Sequence, residues 1–423
     1  MSVRYYKNKE LLIALYFLLF ILGWTLGVSP SYYNEFRSMQ VVLLLLFGLV
    51  SWVNRSFIIT KVEVIFFTYL LIGCYVWDEP SFIISELLLA FLFYKSFRVI
   101  NYNDSITKII LLSSFLLFIL FPLSLFSYLN MGIYDANWYP LPWNIRVYDS
   151  YFLITSIFAM WLYISEQKYK YIYLLFSFLA FFAVLLDGGR SATLAYTLFI
   201  AIVVLGYKPT RLPFIFTYIS SWLAYLAVTY AANFGASGLR IARETSSGRI
   251  DLWVNGLECW IAHPILGCGF YQLEQFPHLS AHPHNIFIQV LTETGVIGLS
   301  FLLLITFKII KNISWDFKKN YFVIAALLAV SIDMSLSGTY VYPVTQMALL
   351  WLFIFLLKNP VFEHVQYFNQ RPIITTGPQQ LLSVSIYALI TGWFLYLIMQ
   401  AFIFPDNMPI TPPRFWGYGY QLY

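Results

Sequence analysis

The chain has 423 residues, of which 60% are hydrophobic and 11% charged. A soluble domain carries about 25% charged residues, so this composition excludes a water-exposed globular fold. Aromatics make up 20% and the formal charge is +5, which fits many membrane–water crossings and calls for no nucleic-acid partner.

In chain order, Arg4, Lys7 and Lys9 precede a first apolar run long enough to span. No small-residue cleavage site follows it, so no cleavable signal is expected and the N-terminus should stay cytoplasmic. A span needs about 20 apolar residues. Candidate spans lie near 11–29, 38–54, 58–77, 81–98, 106–128, 150–165, 170–186, 191–207, 213–233, 285–307, 320–337, 341–357 and 380–403. The expected fold is an all-α polytopic membrane protein of about 12–13 transmembrane helices with one larger outer loop, 234–284. If the N-terminus is inside, every Lys falls on the inner side. The outer side then holds Arg37, Arg146, Arg190, Arg240, Arg243, Arg249 and Arg414. Lysine segregation of this kind follows the positive-inside bias and puts the C-terminal tail outside. Arginines placed against that bias need a reason, and a guanidinium fork is suited to phosphate or carboxylate.

The first outer feature is the loop 129–150, with Trp138, Tyr139, Trp143 and Arg146. Its rings read either as interface anchors or as one wall of a cavity. Next, Asp187-Gly188-Gly189-Arg190-Ser191 joins two spans. Two glycines, a helix start and a guanidinium make an anion site; the plainer reading is a tight hairpin with a snorkelling Arg. Ser247-Gly248-Arg249 then opens a segment in which Ile250, Trp253, Val254, Leu257 and Ile261 share one helical face. This predicts an amphipathic helix at the membrane surface, with Arg249 in its first turn, either gripping a ligand or paired with a nearby carboxylate. Arg240 and Arg243 just before it are secondary candidates. Cys259 and Cys268 read most simply as unpaired; they can pair if their loop faces an oxidising space.

Four of the five histidines lie between 263 and 284. His282-Pro283-His284-Asn285 stands where the chain re-enters the membrane, and His278 precedes it. His-x-His with no completing Cys or carboxylate argues against a metal site. An imidazole that takes a proton from an attacking hydroxyl fits better. Asn285, Gln289 and Glu293 recur at i, i+4 and i+8 and would line the base of an outer cavity. Guanidiniums and an imidazole above a membrane cavity suit transfer from a lipid diphosphate: Arg neutralises the leaving group and His serves the acceptor. No cofactor is called for. A lipid-linked-glycan transporter is the rival class, but it would be expected to show inverted repeats and paired broken helices.

Ser247-Gly248-Arg249-Ile250 with Trp253, His263-Pro264 with Gly267 and Gly269, and His282-Pro283-His284-Asn285 with Gln289, Glu293, Gly295 and Gly298 together resemble the O-antigen ligase/polymerase superfamily. Gly189-Arg190-Ser191 is similar to its upstream Arg motif. The resemblance implies a bacterial inner-membrane GT-C-type glycosyltransferase, metal-independent and inverting. It would move a glycan from undecaprenyl diphosphate on the periplasmic face. Arg190 and Arg249 would bind the diphosphate and His284 would act as the base. His282, Arg146, Arg240, Arg243, Asn285, Gln289 and Glu293 would be further substrate contacts. The acceptor is lipid A–core, a pilin or other protein hydroxyl, or a second lipid-linked glycan. Three regions follow: N-terminal helices 1–185, a catalytic region 186–305, and C-terminal helices with a periplasmic tail 306–423.

Overall fold

The computed structural model describes residues 9–23, 32–53, 57–77, 80–132, 134, 145–166, 168–233, 248–269, 282–362, 377–402 and 414–417. Trp138, Tyr139, Trp143, Arg240, Arg243 and His278 lie outside these residues.

The described residues are mostly helical. In order they form α1 (Leu11–Ile21), α2 (Tyr33–Val53), α3 (Lys61–Val76), α4 (Pro80–Val99), α5 (Asp104–Ser114), α6 (Phe121–Met131), α7 (Ile145–Ser165) and α8 (Lys170–Asp187). There follow α9 (Arg190–Gly206), α10 (Arg211–Asn233), α11 (Arg249–Ala262), α12 (Ile286–Asn312), α13 (Phe317–Leu336), α14 (Pro343–Lys358) and α15 (Gly377–Gln400). Each of the thirteen predicted spans holds helix. One of them is built from α5, a 3-10 turn and α6, with Pro122 in the first turn of α6, where its missing N–H costs nothing. Among the described residues, 8 helices are long and apolar enough to cross a membrane. α1, α9 and α14 are apolar but shorter. The chain is an all-α polytopic membrane protein.

The helix ends sort by charge. At one end, Lys95 pairs with Glu63 at 2.6 Å and Lys108 with Glu166 at 3.2 Å. Lys9 and Lys358 donate to the last carbonyls of α4, at Val99 (2.5 Å) and Ile100 (2.6 Å), where cations offset the helix dipole. At the other end, the start of α2 meets Val341 and Arg414, the start of α7 meets Asp333 and Thr339, and the end of α3 meets Leu266. The helices named therefore alternate in direction between the two ends. The second end carries Arg37, Arg146, Arg190, Arg249, Arg414, His282 and His284; Arg98 and Arg211 lie at the first.

α12 is broken at Gly295 (φ 65, ψ −167), a region open essentially to glycine alone. The loop after α11 fills the break and satisfies the freed backbone groups, as a membrane interior demands. The Val296 and Ile297 amides donate to the carbonyls of Pro264 (3.0 Å) and Ile265 (3.4 Å), and the Cys268 amide donates to the carbonyl of Thr292 (2.9 Å). Tyr69 Oη donates to the carbonyl of Thr294 at 2.8 Å. The reading of Cys259 and Cys268 as unpaired is corrected: they form a disulfide with their Cα atoms 6.1 Å apart. The reverse turn that docks on α12 brings the end of the loop back to the last turn of α11.

A Cβ at Gly295 would lie 2.2 Å from the Ile265 carbonyl oxygen. Gly295→Ala is therefore expected to unseat the loop. The backbone conformation alone costs about 1–3 kcal/mol, and the steric overlap adds to it. Thermal unfolding in detergent should show a lower transition temperature, whereas Gly392→Ala, where a Cβ meets nothing within 4 Å, should not.

Candidate active site at the arginine–histidine end

The first element is the corner between α8 and α9. Gly188 takes φ 70. The Gly189 amide donates to the Val184 carbonyl (3.0 Å) and the Gly188 amide to that of Leu185 (3.1 Å), a glycine-closed helix end of the Schellman type. Arg190 is thereby the first residue of α9, where backbone N–H groups and the helix dipole favour an anion. The corner rests on α7: a Cβ at Gly189 would sit 2.6 Å from the carboxyl carbon of Asp149. Asp149 accepts from Arg146 Nη1 at 2.8 Å. Glycine at 189 is thus required by close approach to a carboxylate that itself orients a guanidinium.

The second element is α11, whose first residue is Arg249. Gly248 precedes it at φ 72. Trp253 Nε1 donates to the Pro283 carbonyl at 2.7 Å, and Thr292 Oγ1 donates to the Gly256 carbonyl at 3.0 Å. These bonds, with the disulfide, fix α11 against the start of α12. The predicted apolar face is present, with Ile250, Val254, Leu257 and Ile261 exposed.

The third element is His282-Pro283-His284-Asn285. His284 has φ 54, uncommon for a residue with a Cβ. Asn285 caps α12, its Oδ1 accepting from the amides of Phe287 (3.0 Å) and Ile288 (3.1 Å). The imidazoles of His282 and His284 lie 4.3 Å apart between centroids. His282 is buried with its ring against Gly338, where a Cβ would be 2.5 Å from Nε2. His284 is half-buried. Burial, then the positive fields of Arg249 and Arg146, push the His284 imidazole down to about 4. Burial, then His284, Arg414 and Arg249, hold His282 well below the ordinary histidine value.

The positions therefore connect. Arg249 and Arg146 lie within electrostatic reach of His284. Arg146 is held by Asp149, on which the Gly189–Arg190 corner packs. The structure brings Arg146, Arg249 and His282 within electrostatic reach of His284 and sets Gly189, next to Arg190, against Asp149.

The cavity-base stripe is only partly as expected. The Asn285 side-chain oxygen is used as a cap. The Glu293 carboxylate is taken by Arg414, with Nη1 at 2.7 Å and Nη2 at 3.0 Å. Gln289 is buried, and its Oε1 meets no donor.

Sequence reasoning assigned no role to Arg37 and Arg414. Both are fully buried. Arg37 donates to the carbonyls of Phe415 (2.9 Å) and Val341 (2.6 Å) and to Oε1 of Gln40 and Gln346 (2.6 Å each). The Gly417 amide donates to Asn34 Oδ1 at 2.7 Å. Two of the seven outer arginines thus clamp the C-terminal segment into the bundle. The signal in the sequence was the polar run Tyr33, Asn34, Arg37 and Gln40 inside an otherwise apolar span. A buried knot of Ser150, Asp333 and Thr339 was also missed; Ser150 Oγ donates to Asp333 Oδ2 at 2.7 Å.

Residues 175–303 match the family described as O-antigen ligase. The match runs from α8 to mid-α12 and takes in the corner, α11 and the histidine loop. This region is similar to the O-antigen ligase family. Members of that family are glycosyltransferase-like membrane enzymes. No curated protein matches the chain.

Proposed function

We propose that this O-antigen-ligase-type protein transfers a glycan from undecaprenyl diphosphate to an acceptor hydroxyl at the periplasmic face of a bacterial inner membrane. The observation that carries the reading is the convergence of Arg249 and Arg146 on a half-buried His284, beside the corner that presents Arg190. The lysines at the opposite end support a cytoplasmic assignment for that end. The Cys259–Cys268 disulfide supports an oxidising compartment for this one.

In the reaction, the acceptor oxygen attacks the anomeric carbon and a new C–O bond forms with inversion. The bond to the diphosphate oxygen breaks, and its electron pair leaves with the diphosphate. Arg190 and Arg249 neutralise that developing charge in a water-poor site. The acceptor proton passes to the neutral imidazole of His284. Arg146, oriented by Asp149, adds positive field next to the imidazole and keeps it unprotonated before substrate arrives. Broken membrane helices also occur in transporters, but the break at Gly295 is closed by a disulfide-locked loop and serves as a scaffold.

The test is reconstitution with an undecaprenyl-diphosphate oligosaccharide, offering lipid A–core, pilin and a second lipid-linked oligosaccharide in parallel. Product in the first or second vessel assigns ligase or protein O-oligosaccharyltransferase activity, and product in the third assigns a polymerase. Donor bound but unconsumed in every vessel contradicts the transferase reading.

A pH prediction follows. Above its pKa, His284 is neutral and can accept a proton; below it, the imidazolium cannot. With the free-enzyme value near 4, kcat/KM should hold through pH 5–6, where an ordinary histidine (pKa about 6.5) would already be failing. Bound diphosphate offsets the arginine fields, so the acid limb of kcat should lie at higher pH than that of kcat/KM. Coincident limbs near 6.5 contradict the account.

A further inference from the structure

Between α13 and α14 the chain reverses through residues 337–342, outside the stretch that matches the O-antigen ligase family. Five successive carbonyls of this loop accept hydrogen bonds. That of Gly338 takes the Val341 amide (2.8 Å) and that of Tyr342 the Gln346 amide (2.9 Å). The Thr339 carbonyl takes the Thr345 hydroxyl and the Tyr340 carbonyl takes Gln346 Nε2 (2.7 Å). The Val341 carbonyl takes the buried Arg37 guanidinium (2.6 Å). Side chains fix the loop as well. The hydroxyls of Ser150 and Thr339 both donate to Asp333 Oδ2, and all three residues are at most 2% exposed. Ser150 follows Asp149, which holds Arg146, so α7 anchors this loop and that guanidinium from adjacent residues. Such a loop cannot yield without losing several buried hydrogen bonds together.

What packs on the loop is His282. A Cβ at Gly338 would stand 2.5 Å from its Nε2 and 3.1 Å from the Tyr342 ring. The rings of Tyr340 and Tyr342 meet the imidazole edge to face, with centroids at 6.5 and 6.2 Å. The His284 imidazole is 4.3 Å from that of His282. Gly338 does not take a positive φ, so its backbone conformation does not require glycine; the room left for the imidazole does.

We infer that residues 337–342 form a rigid seat for the histidine loop. Gly338 and Thr339 are positioning residues in it, which set the His282 imidazole and, through it, hold His284 toward the acceptor. The inference rests on the transferase reading with His284 as the base. A catalytic group displaced by about 1 Å can lose about 10²-fold in rate, so a base needs support whose own side chains are locked.

The test uses full-length protein in detergent with the acceptor that gives product. Gly338→Ala puts a methyl into overlap with the imidazole. It should lower kcat about 10²-fold, while the Kd for bare undecaprenyl diphosphate stays within twofold of wild type. In a His284→Asn background the same substitution should cost less than threefold, because the group it displaces no longer acts. Thr339→Val removes the hydroxyl and leaves Gly338 alone. It should lower kcat about tenfold, the worth of one buried hydrogen bond, and Thr339→Ser should restore it; this pair decides the matter if Gly338→Ala does not fold. Unchanged kcat in both Gly338→Ala and Thr339→Val overturns the inference and leaves the transferase reading intact. So does a Kd weakened as much as kcat falls, or an equal loss with and without His284. Wild-type protein that forms no product with any acceptor overturns both.

Discussion

His284→Asn is expected to lower glycosyl transfer by about 10²–10⁴-fold, the usual worth of a positioned general base, while binding of undecaprenyl diphosphate persists. Asparagine is the informative replacement because the backbone there has φ 54, which Asn tolerates better than Ala. His284→Ala would mix loss of the base with backbone strain, so only the Asn variant reads chemistry alone. The neighbouring imidazole should behave differently. His282 is buried, against Gly338 and between Tyr340 and Tyr342. Its removal leaves a cavity, so His282→Ala should lower the unfolding temperature as well as the rate. If His284→Asn retained full turnover while His282→Asn, folded to the same temperature as wild type, lost it, the base would be reassigned to His282.

Arg249→Ala should cost about 10²–10³-fold in transfer, the scale seen when one charge-stabilising donor is deleted from a preorganised site. It should also weaken binding of bare undecaprenyl diphosphate. Lysine should restore little, because an ammonium cannot reproduce a planar two-donor fork. A second readout links the two residues. Arg249 is the second-largest cause, after burial, holding the His284 pKa down. Removing it should move the acid limb of the remaining kcat/KM upward. A merely structural arginine would lower the rate without moving that limb. Arg190→Ala should share the loss of lipid affinity but shift the limb less, since the charges that act on the imidazole are those of Arg249 and Arg146.

The bundle was legible because its causes are local. Runs of apolar residues about as long as a bilayer is thick mark the helices directly. The α11 face was readable from the spacing of Ile250, Trp253, Val254, Leu257 and Ile261. The Gly188–Gly189 corner was readable because tight reversal and glycine go together. What escaped notice was set by distant partners. Arg37 meets Phe415, 378 positions away, and Arg414 meets Glu293, 121 away; no local pattern encodes either contact. The break in α12 was hidden because a single glycine within a helical pattern is ordinarily tolerated, and its necessity appears only once the Ile265 carbonyl is seen where a Cβ would be. Asn285 looked like a cavity residue by its face on the helix; its place one residue before the first turn made it a cap instead. The disulfide depended on a loop path that two cysteines 9 residues apart do not specify.

The most direct measurement is an experimental structure of the full-length protein with undecaprenyl diphosphate bound. The diphosphate should lie between the guanidiniums of Arg190 and Arg249, with the His284 imidazole facing the side from which an acceptor enters. A diphosphate held elsewhere, or an Arg249 turned away from the histidine loop, would contradict the account.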